Sequence, residues 1–411
     1  MNILFISTSD LHGGAAIAAF RLMNALQTEG MNIKMLVRDK RSSNRNVIEV
    51  GNKNKNKWNF LWERGKIFLA NRFSQKNLFD ISIANTGVSV TTLPEFQHAD
   101  IIHLHWINQG MLSLKELKNI FTSGKKVVWT MHDMWPFTGI CNHAGDCTNY
   151  QQACGFCPYL VGATPRDLSN KIFKQKQVAY SSGNITFVTC SNWLKDLAKK
   201  SPLTTNHTVV SIPNPIDTRH YCPKDKIGVR KKLQLPLDKK IVLFAAVKIS
   251  DKRKGIDYLI EASRLMKQHT DNVLFLTAGN NGKEIANQLA LPAHSMGFVA
   301  PENMPDVYNA ADVFVTPSLQ ENLPNTIMEA MACGTPCVGF RIGGIPEMID
   351  HLKTGYIAEY KNANDLAKGL FWTLFEADTA TLSVNAREKT LKSYAQEKIA
   401  QQYKKIYDQQ P

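Results

Sequence analysis

The sequence predicts an α/β protein built from two doubly wound domains, and three observations support this prediction. The chain has 411 residues, which is long for one hydrophobic core, so two domains of about 200 residues each are expected. Short apolar strands alternate with helical segments along both halves, a pattern typical of open parallel sheets. Hydrophobic residues make up 44% and charged residues 20% of the chain, a composition typical of soluble globular proteins.

The first predicted strand spans residues 1–9 and leads through a turn into a helix. Gly13 and Gly14 lie in that turn, where glycine lets the backbone approach a ligand closely at the start of a helix. The turn does not match the Gly-x-Gly-x-x-Gly fingerprint, so a dinucleotide site is not predicted. A plain tight turn is the alternative to a ligand-binding loop. The second strand is MNIKMLVRD.

A basic, aromatic segment follows this second strand. The net charge is +14, and much of it is local, because ten Lys and Arg stand against two Glu between Lys40 and Lys76. Trp and Phe interleave with the basic residues over residues 53–76, as in a helix that lies at a membrane surface. A helix packed on its own domain with a solvated basic face explains the pattern equally well. Nucleic acid is not predicted as a partner, because no RNA- or DNA-binding motif accompanies the charge.

Two buried strands end in histidines. DIIHLHW carries His103 and His105, and VVWTMHD carries His132. Because side chains alternate along a strand, His103 and His105 should lie on one face. A neutral imidazole at a strand end can donate a hydrogen bond to a ligand hydroxyl. The pair suggests a metal site only weakly, because no carboxylate ligand stands beside it. We therefore expect His103 to be structural.

Four cysteines lie close together after the second of these strands. Cys141, Cys147, Cys154 and Cys157 fall within seventeen residues and end in a Cys-x-x-Cys pair, a spacing typical of a structural zinc site. His143 can replace one thiol, and free thiols or two disulfides are the alternatives. A catalytic zinc is disfavoured, because four protein ligands leave no open coordination position.

The N-terminal residues bear on the location of the protein. MNILFIST has neither a basic start nor a long apolar core, so it is predicted to be a strand and not a signal peptide. No apolar run approaches the eighteen or so residues that cross a bilayer. With eight cysteines and no secretory signal, we expect a reducing cytoplasm. The location is then cytoplasmic, or peripheral on the inner face of the cytoplasmic membrane.

The first domain is predicted to end near residue 217. ITFVTCSNWLKDLAKKSPL gives a strand, a helix cap at Ser191 and a helix, and TVVSIPNPIDTRHYCP follows as the connection. We place the first domain at residues 1–217 and the second at residues 218–390. Residues 391–411 are predicted to form a C-terminal helix.

The second domain carries two loops suited to anions. The first is the basic loop in KKIVLFAAVKISDKRKGIDYLIEASRLM. The second lies in TPSLQENLPNTIMEAMACGTPCVGFRIGGIPE, where Glu321 falls in a loop and Glu329 on a helix. Pro324 suits the first turn of that helix, and Gly334 suits its stop. Free N–H groups at the helix start bind anions. Amides for a diphosphate and carboxylates for hydroxyls fit a nucleotide sugar.

The longer run around Glu321 and Glu329 strongly resembles the E-x7-E signature of retaining glycosyltransferases of family 4. The resemblance implies the GT-B fold, in which two Rossmann-like doubly wound domains face each other across a cleft and a C-terminal helix crosses back to the first domain. The Cys-bearing insert after His132 and Asp133 resembles that of a subset of bacterial polysaccharide glycosyltransferases. The alternative is an unrelated pair, one loop Glu and one exposed helix Glu.

The resemblance also implies roles for single residues. Lys254 matches a phosphate-binding lysine, whereas Lys248 stands where the family has Arg, which removes a bidentate contact. Glu329 is implied to hold the ribose and Glu321 the donor hexose, and His105 is a candidate acceptor contact. The implied catalytic residues are His132, Glu321 and Lys254. The implied donor-binding residues are Gly13, Gly14, Lys248, Lys254, Phe298, Glu321, Asn322, Leu323 and Glu329.

The expected chemistry follows from the charge on the leaving diphosphate, which must be stabilised. The sequence has no Asp-x-Asp motif for a divalent cation, so lysines and helix N-termini, each worth about half a positive charge, are the other route. We expect metal-independent transfer of a hexose with retention, with no cofactor required. The donor is a nucleotide-diphosphate sugar, and the acceptor is a saccharide or lipid-linked saccharide in polysaccharide biosynthesis.

Two other functions remain open on the same fold. One is a nucleotide-sugar epimerase, which needs no acceptor. The other is a non-catalytic protein that binds a membrane surface. A two-carboxylate glycosidase is disfavoured, because both glutamates lie on one stretch of chain and not across a sugar ring.

Overall fold

The computed structural model describes residues 1–409, which form two compact units. The first unit takes in Met1–Pro215 and the residues from Ile399 on, and the second takes in Ile216–Lys398. The boundary expected near residue 217 lies beside this division. Among the described residues, no helix is both long enough and apolar enough to cross a membrane.

The first unit is a seven-stranded parallel sheet with helices on both faces. Its strands lie in the order β3-β2-β1-β4-β5-β6-β7. The strands are β1 (Asn2–Ser9), β2 (Asn32–Asp39), β3 (Val47–Glu49), β4 (Ile101–Leu104), β5 (Lys126–Met131), β6 (Ile185–Thr189) and β7 (Thr208–Ser211). The helices are α1 (Gly14–Thr28), α2 (Lys53–Ala70), α3 (Pro94–Gln97), α4 (Leu114–Phe121), α5 (Leu168–Tyr180) and α6 (Asn192–Ala198), with 3₁₀ turns at Trp135–Phe137 and Asn149–Gln151.

Strand β1 shows why the sheet is covered on both faces. Its alternate residues enter two different cores, Leu4 and Ile6 in one and Ile3 and Phe5 in the other. All four side chains are at most 2% exposed. A strand buried on both faces reads as a continuous apolar run, as parallel strands do. The apolar start of the sequence is therefore a central strand.

The second unit repeats this plan with six parallel strands in the order β10-β9-β8-β11-β12-β13. The strands are β8 (Lys240–Lys248), β9 (Val273–Asn280), β10 (Ala293–Gly297), β11 (Val313–Thr316), β12 (Cys337–Phe340) and β13 (Gly355–Ala358). The helices are α7 (Lys226–Lys232), α8 (Ile256–Lys267), α9 (Gly282–Ala286), α10 (Met304–Ala310), α11 (Asn325–Ala332), α12 (Ile345–Met348), α13 (Ala363–Phe371) and α14 (Thr379–Ser393), with 3₁₀ turns at Lys252–Lys254 and Pro301–Asn303 and a π-helical turn at Trp372–Glu376.

The last helix, α15 (Gln396–Asp408), contributes to the core of the first unit. Ile399, Ala400, Tyr403 and Tyr407 belong to the same buried cluster as Phe5 on β1. They are 0–3% exposed. The predicted return of the C-terminal helix to the first domain is confirmed.

Both sheets reverse their strand order at one point. In the first sheet this point lies between β1 and β4, and in the second it lies between β8 and β11. Ligands of open α/β sheets bind outside the carboxyl ends of the strands at this switch point. The predicted fold class, two Rossmann-like doubly wound parallel sheets, is confirmed.

Candidate functional site

The loops after β8 and β11 meet at the switch point of the second sheet. Lys254 ends the 3₁₀ turn in the first loop, Glu321 lies in the second, and their side chains form an ion pair. The Ser318 hydroxyl donates to Glu321 Oε1 at 3.1 Å. The Lys254 side chain is 35% exposed and that of Glu321 13%, so a ligand can reach the pair from solvent. The structure thus brings together two residues that the sequence pattern selected.

Two glycines fix the course of these loops. Gly255 has a φ of 71°, and a Cβ there would stand 1.7 Å from the Pro317 carbonyl oxygen. Gly343 has a φ of 57°, and a Cβ there would stand 1.9 Å from the Glu321 carbonyl oxygen. Real Cβ atoms do not approach an oxygen this closely, so a side chain at either position would displace backbone next to the Lys254–Glu321 pair.

Helix α11 holds Glu329 in a nearly buried position. Glu329 is 8% exposed, and the Tyr308 hydroxyl donates to its Oε2 at 2.8 Å. Burial and the Glu329 carboxylate raise the pKa of Tyr308 well above its usual value, so the phenol stays protonated. Pro324 was predicted to lie in the first turn of α11, but it is the N-cap residue, just before Asn325. The predicted stop is confirmed, since Gly334 follows the C-cap with a φ of 75°.

Four other predicted donor residues lie in the second unit. Lys248 ends β8 with an exposed side chain, and the ring of Phe298, just after β10, is 70% exposed. Asn322 and Leu323 precede α11 and are each 7% exposed. The lysine and the ring are thus well exposed, whereas Asn322 and Leu323 lie nearly buried beside Glu321 in the sequence.

The glycine turn of the first unit opens α1. Gly13 is the N-cap of α1, with a φ of 92°, and a Cβ there would meet no atom within 4 Å. Glycine is therefore needed here for backbone conformation and not for space. Asp10 ties the same turn to the end of β2, because its carboxylate accepts the N–H groups of Arg41 and Ser42, both at 2.9 Å.

Three histidines lie side by side at the carboxyl ends of β4 and β5. The ring of His103 is bonded at both nitrogens, with the Tyr407 hydroxyl 2.7 Å from Nδ1 and the Thr130 hydroxyl 2.8 Å from Nε2. The His103 and His105 ring centres are 4.3 Å apart, which confirms that the two share one face. His105 Nδ1 lies 3.2 Å from His132 Nε2.

Burial keeps all three imidazoles neutral. It lowers the pKa of His103 and His105 well below the usual value and that of His132 to about 4. His105 is 2% exposed, whereas His132 is partly exposed. Within residues 1–409, His105 Nε2 is buried without a hydrogen-bond partner. The sequence suggested a contact between His105 and an acceptor, but this side chain lies against His132 and away from solvent.

Three other side chains near these histidines were not predicted to lie at the site. The Tyr403 hydroxyl lies 2.9 Å from Thr130 Oγ1, and Tyr403 and Tyr407 stand four residues apart on α15. Cys190, just after β6, has its sulfur 3.6 Å from His132 Nδ1. The four-residue spacing of the tyrosines was the one available signal, since it places both on one face of a helix.

Asp133 fixes the turn that follows His132. Its carboxylate accepts the Trp106 indole N–H at 2.8 Å and the Trp135 backbone N–H at 2.9 Å. Burial raises the pKa of Asp133. The two residues of the predicted His-Asp pair therefore have different positions. His132 lies at the candidate site, and the Asp133 carboxyl group holds the backbone of the turn that follows.

The four predicted zinc ligands border one small cavity. Cys141, Cys147, Cys154 and Cys157 are free thiols, and all four line a cavity of about 10 Å³. Across residues 1–409, no three His, Cys, Asp or Glu side chains are positioned, as they stand, to hold a metal ion. The thiols thus share one cavity without forming a ready ligand set.

Two family models match the chain. Residues 12–220 match the model described as Glycosyltransferase Family 4, and residues 239–374 match the one described as Glycosyl transferases group 1.

Two curated relatives and one solved structure illustrate the similarity. N-acetyl-alpha-D-glucosaminyl L-malate synthase of Bacillus anthracis is 26% identical over 339 residues, 80% of this chain and 79% of the relative. An amylovoran biosynthesis glycosyltransferase of Erwinia amylovora is 30% identical over 192 residues, 41% of this chain and 47% of the relative. The structure of Anabaena HepE in complex with UDP and glucose matches with a TM-score of 0.67 at 18% identity, over 99% of both chains.

The two parallel sheets match GT-B glycosyltransferase structures, so the class of fold is GT-B. The family model that spans residues 12–220 covers half of the sequence. The chain belongs to glycosyltransferase family 4.

Proposed function

We propose that the protein transfers a hexose from a nucleoside diphosphate sugar to a saccharide or lipid-linked saccharide in polysaccharide or glycoconjugate biosynthesis, with retention of anomeric configuration. The observation that supports it most is the Lys254–Glu321 pair at the switch point of the second sheet. This donor needs a cation for phosphate beside a carboxylate for hydroxyl groups. UDP-glucose is the first donor to test, since HepE was crystallised with UDP and glucose.

The charge of the departing diphosphate is met, in this proposal, by Lys248, Lys254 and the N–H groups at the start of α11. An ammonium group acts on phosphate as a point charge, and a helix N-terminus adds about half a positive charge. Lys254 pairs with Glu321, so a phosphate bound by Lys254 competes for the ammonium group and leaves the carboxylate to accept sugar hydroxyls. We therefore propose that transfer requires no divalent cation.

Glu329 is proposed to accept hydrogen bonds from the ribose hydroxyls. Its carboxylate is held in place by the Tyr308 hydroxyl, so its orientation is set before a donor binds. Contacts of Phe298, Asn322 and Leu323 with the donor belong to the same proposal. Roles of Gly13 and Gly14 towards the donor stay predictions of the family resemblance.

His132 is proposed to lie beside the donor sugar, with His105 as its positioning residue. Two neutral imidazoles that share one hydrogen bond must divide the roles of donor and acceptor. If His105 Nδ1–H donates to His132 Nε2, the proton of His132 lies on Nδ1, so one ring fixes the tautomer of the other. This replaces the acceptor contact that the sequence suggested for His105.

Helix α2 supports a lipid-linked acceptor, because it buries polar residues and exposes apolar ones. Its buried residues are Asn56, Asn59, Glu63, Arg64 and Ile67. Its most exposed apolar residues are Trp58 at 62%, Leu69 at 55%, Leu61 at 49% and Trp62 at 44%. An ordinary surface helix has the reverse arrangement. Of the two alternatives drawn from the sequence, this arrangement favours the interfacial one.

Two buried charged residues explain this inversion. Glu63 Oε1 accepts the Ser82 hydroxyl at 2.5 Å and the Ile83 N–H at 2.8 Å. Arg64 donates to the Ile81 carbonyl oxygen at 2.9 Å and pairs with Glu63 at 3.2 Å. The helix is thus held to its unit by polar contacts, which leaves the aromatic rings on the outer face.

The outer face of α2 fits an anionic lipid surface. The Trp58 and Trp62 rings stack with centres 6.0 Å apart, and the exposed Lys55, Lys57 and Lys66 stand beside them. Indole rings favour the headgroup region, and lysines are attracted to anionic lipids. We propose that α2 rests on the inner face of the cytoplasmic membrane, where a lipid-linked acceptor is presented.

The test is to measure nucleoside diphosphate release from a panel of nucleotide sugars, with and without saccharide acceptors, in the presence of EDTA. We expect release that depends on the acceptor, resists EDTA and yields an α-linked product from an α-linked donor. Isomerised donor without acceptor would indicate an epimerase instead. Failure of every donor to bind would indicate a non-catalytic scaffold, and a strict need for Mg²⁺ or Mn²⁺ would overturn the metal-independent mechanism.

A further inference from the structure

The loop between β5 and α5 is long and irregular, yet its backbone is tightly specified. Residues 138–167 contain one 3₁₀ turn and no strand, and irregular loops of this length are uncommon in compact domains. Three consecutive residues, Cys154, Gly155 and Phe156, have φ values of 52°, 112° and 47°. Such conformations persist only where the surroundings hold them. The loop therefore needs an internal anchor.

The four thiols are placed to provide that anchor. All of them border the same cavity of about 10 Å³, which is roughly the space of one water molecule or ion. The Gly139 N–H donates to Cys154 Sγ at 3.2 Å. Hydrogen bonds from backbone N–H groups favour sulfur that carries negative charge.

Lys176 on α5 is an independent sign that negative charge belongs here. The side chain is 0% exposed, and its Nζ donates to the carbonyl oxygens of Trp135 at 2.5 Å and Thr138 at 3.0 Å. Burial lowers the pKa of the Lys176 ammonium group well below its usual value, and negative charge on Cys154, Cys141 and Asp133 would raise it again. A buried cation is costly unless an anion lies nearby. Neutral thiols would leave Lys176 only Asp133, a carboxyl group whose own pKa is raised by burial.

We propose that Cys141, Cys147, Cys154 and Cys157 bind one structural Zn²⁺, with Lys176 as the buried counter-charge of the tetrathiolate site. On binding, four S–H bonds break, four Zn–S bonds form and the four protons pass to solvent. The resulting centre carries net negative charge, which Lys176 offsets. The thiols do not stand at ligand positions, so binding requires them to turn about Cα–Cβ into other staggered positions.

The zinc is structural in this proposal, because four protein ligands leave no position for substrate. It anchors the strained Cys154–Phe156 segment and closes the loop that follows His132 along the chain. The site is independent of the proposed transfer reaction and can be tested without any substrate.

The experiment measures zinc in the full-length protein, purified under reducing conditions without added metal, together with the absorption spectrum after Co²⁺ replaces the zinc. We expect about one zinc per chain and the strong near-ultraviolet charge-transfer band of thiolate-bound cobalt. Cys154→Ser with Cys157→Ser should remove both signals. The matched control is Cys222→Ser, a cysteine of the second unit outside the cavity, which should keep full zinc content.

Three outcomes would overturn the proposal. The first is the absence of zinc together with a cobalt spectrum that lacks the thiolate band, which would leave free thiols. The second is an intact mass lower by four hydrogens without reduction, which would show two disulfides. The third is unchanged zinc in the double variant. The wild-type cobalt spectrum decides the matter even if the cysteine variants fail to fold. Lys176→Met should lose zinc to a chelator at least ten-fold faster than Lys252→Met, a change at an exposed lysine.

Discussion

Lys254 and Glu321 come from two loops that are 67 residues apart along the chain and meet through one ion pair. Two glycines fix the backbone so that these loops lie close together. Gly255 brings the first loop against Pro317, and Gly343 brings another segment against Glu321. The position of the Lys254–Glu321 pair therefore depends on Gly255 and Gly343, two residues that have no side chain.

Replacing Lys254 by Met should lower kcat about 100-fold, because removal of one group that stabilises transition-state charge costs about 10²–10³ in rate. Glu321→Gln should be similarly impaired, since the amide cannot carry the carboxylate charge. Both are measured as product formed from UDP-glucose, or from whichever donor the panel identifies. Lys252→Met, in the same loop but with an exposed side chain, is the matched control. Near-normal turnover in both variants would remove the pair from catalysis.

His103, His105 and His132 form a histidine row at the carboxyl ends of β4 and β5. Because of them, we predict that the first unit loses stability in mild acid. Burial lowers the pKa of His103, His105 and His132 below the value of about 6.5 in the unfolded chain. The unfolded state therefore binds more protons as the pH falls below about 6.5, so stability is full above that pH and falls below it. Each histidine contributes a slope of about 1.4 kcal/mol per pH unit.

This slope is measured from urea unfolding between pH 7.5 and 5, followed by hydrogen exchange of β4 and β5. His105→Asn should give a shallower pH dependence than the native protein, since it removes one titrating group. A substitution of the exposed His98, which lies outside this cluster, is the matched control. Identical slopes for the native protein and His105→Asn would contradict the prediction.

The sequence could identify Lys254, Glu321, Glu329 and His132, because each sits in a short motif whose spacing carries the signal. It could not identify Tyr407 or Cys190. Their contacts with the histidine row join segments 304 and 58 residues apart, and such contacts follow from tertiary packing and not from local spacing. For the same reason the burial of His105 was not foreseen.

Helix α2 shows what periodicity can and cannot tell. The sequence pattern predicts an amphipathic basic helix, but it does not decide which face is buried. That choice was made by Glu63 and Arg64, whose hydrogen bonds with residues 78–83 outweigh the burial of the aromatic rings. No rule based on apolar periodicity anticipates a helix docked through its charged residues.

Replacing Trp58 and Trp62 by Ser should weaken binding to vesicles that contain anionic phospholipid about ten-fold for each residue, since burial of a large apolar side chain is worth about 1.5–3 kcal/mol. The measurement is partition by sedimentation with sucrose-loaded vesicles. Binding should also fall as salt increases, because salt screens the lysines.

The matched control for this prediction is Phe375→Ser, which changes an exposed ring (37%) of the second unit. It should bind vesicles as the native protein does. Equal partition of the native protein and the Trp58→Ser, Trp62→Ser variant would contradict the proposed membrane role of α2. It would not bear on the proposed transfer reaction.

At the scale of the whole chain, the α/β class and the two domains followed from strand–helix alternation together with chain length. Parallel strands buried on both faces leave continuous apolar runs, and these runs are visible in the sequence at residues 1–9, 101–104 and 313–316. The strand order and the switch points came only from the structure, because hydrophobic pattern does not encode which strands are neighbours.

Ending the chain after Lys398 should destabilise the first unit by on the order of 5 kcal/mol or more, because the segment that is lost carries five buried side chains. These are Ile399, Ala400, Tyr403, Ile406 and Tyr407, at 0–7% exposure. Hydrogen exchange of β1, β4 and β5 should accelerate by several orders of magnitude. Lys405→Ala, on the exposed face of α15, should exchange as the native protein does. Unchanged exchange after truncation would show that α15 is dispensable.

Gly255 and Gly343 have a practical consequence for anyone who maps this enzyme by saturation mutagenesis. Selected for activity, both positions will reject all nineteen replacements and will look as indispensable as the groups that handle the donor. If positions were ranked only by their intolerance of substitution, Gly255 and Gly343 would be mistaken for catalytic residues, although neither has a side chain. Expression and melting temperature, measured in parallel, would separate these two backbone positions from the residues that act on the donor.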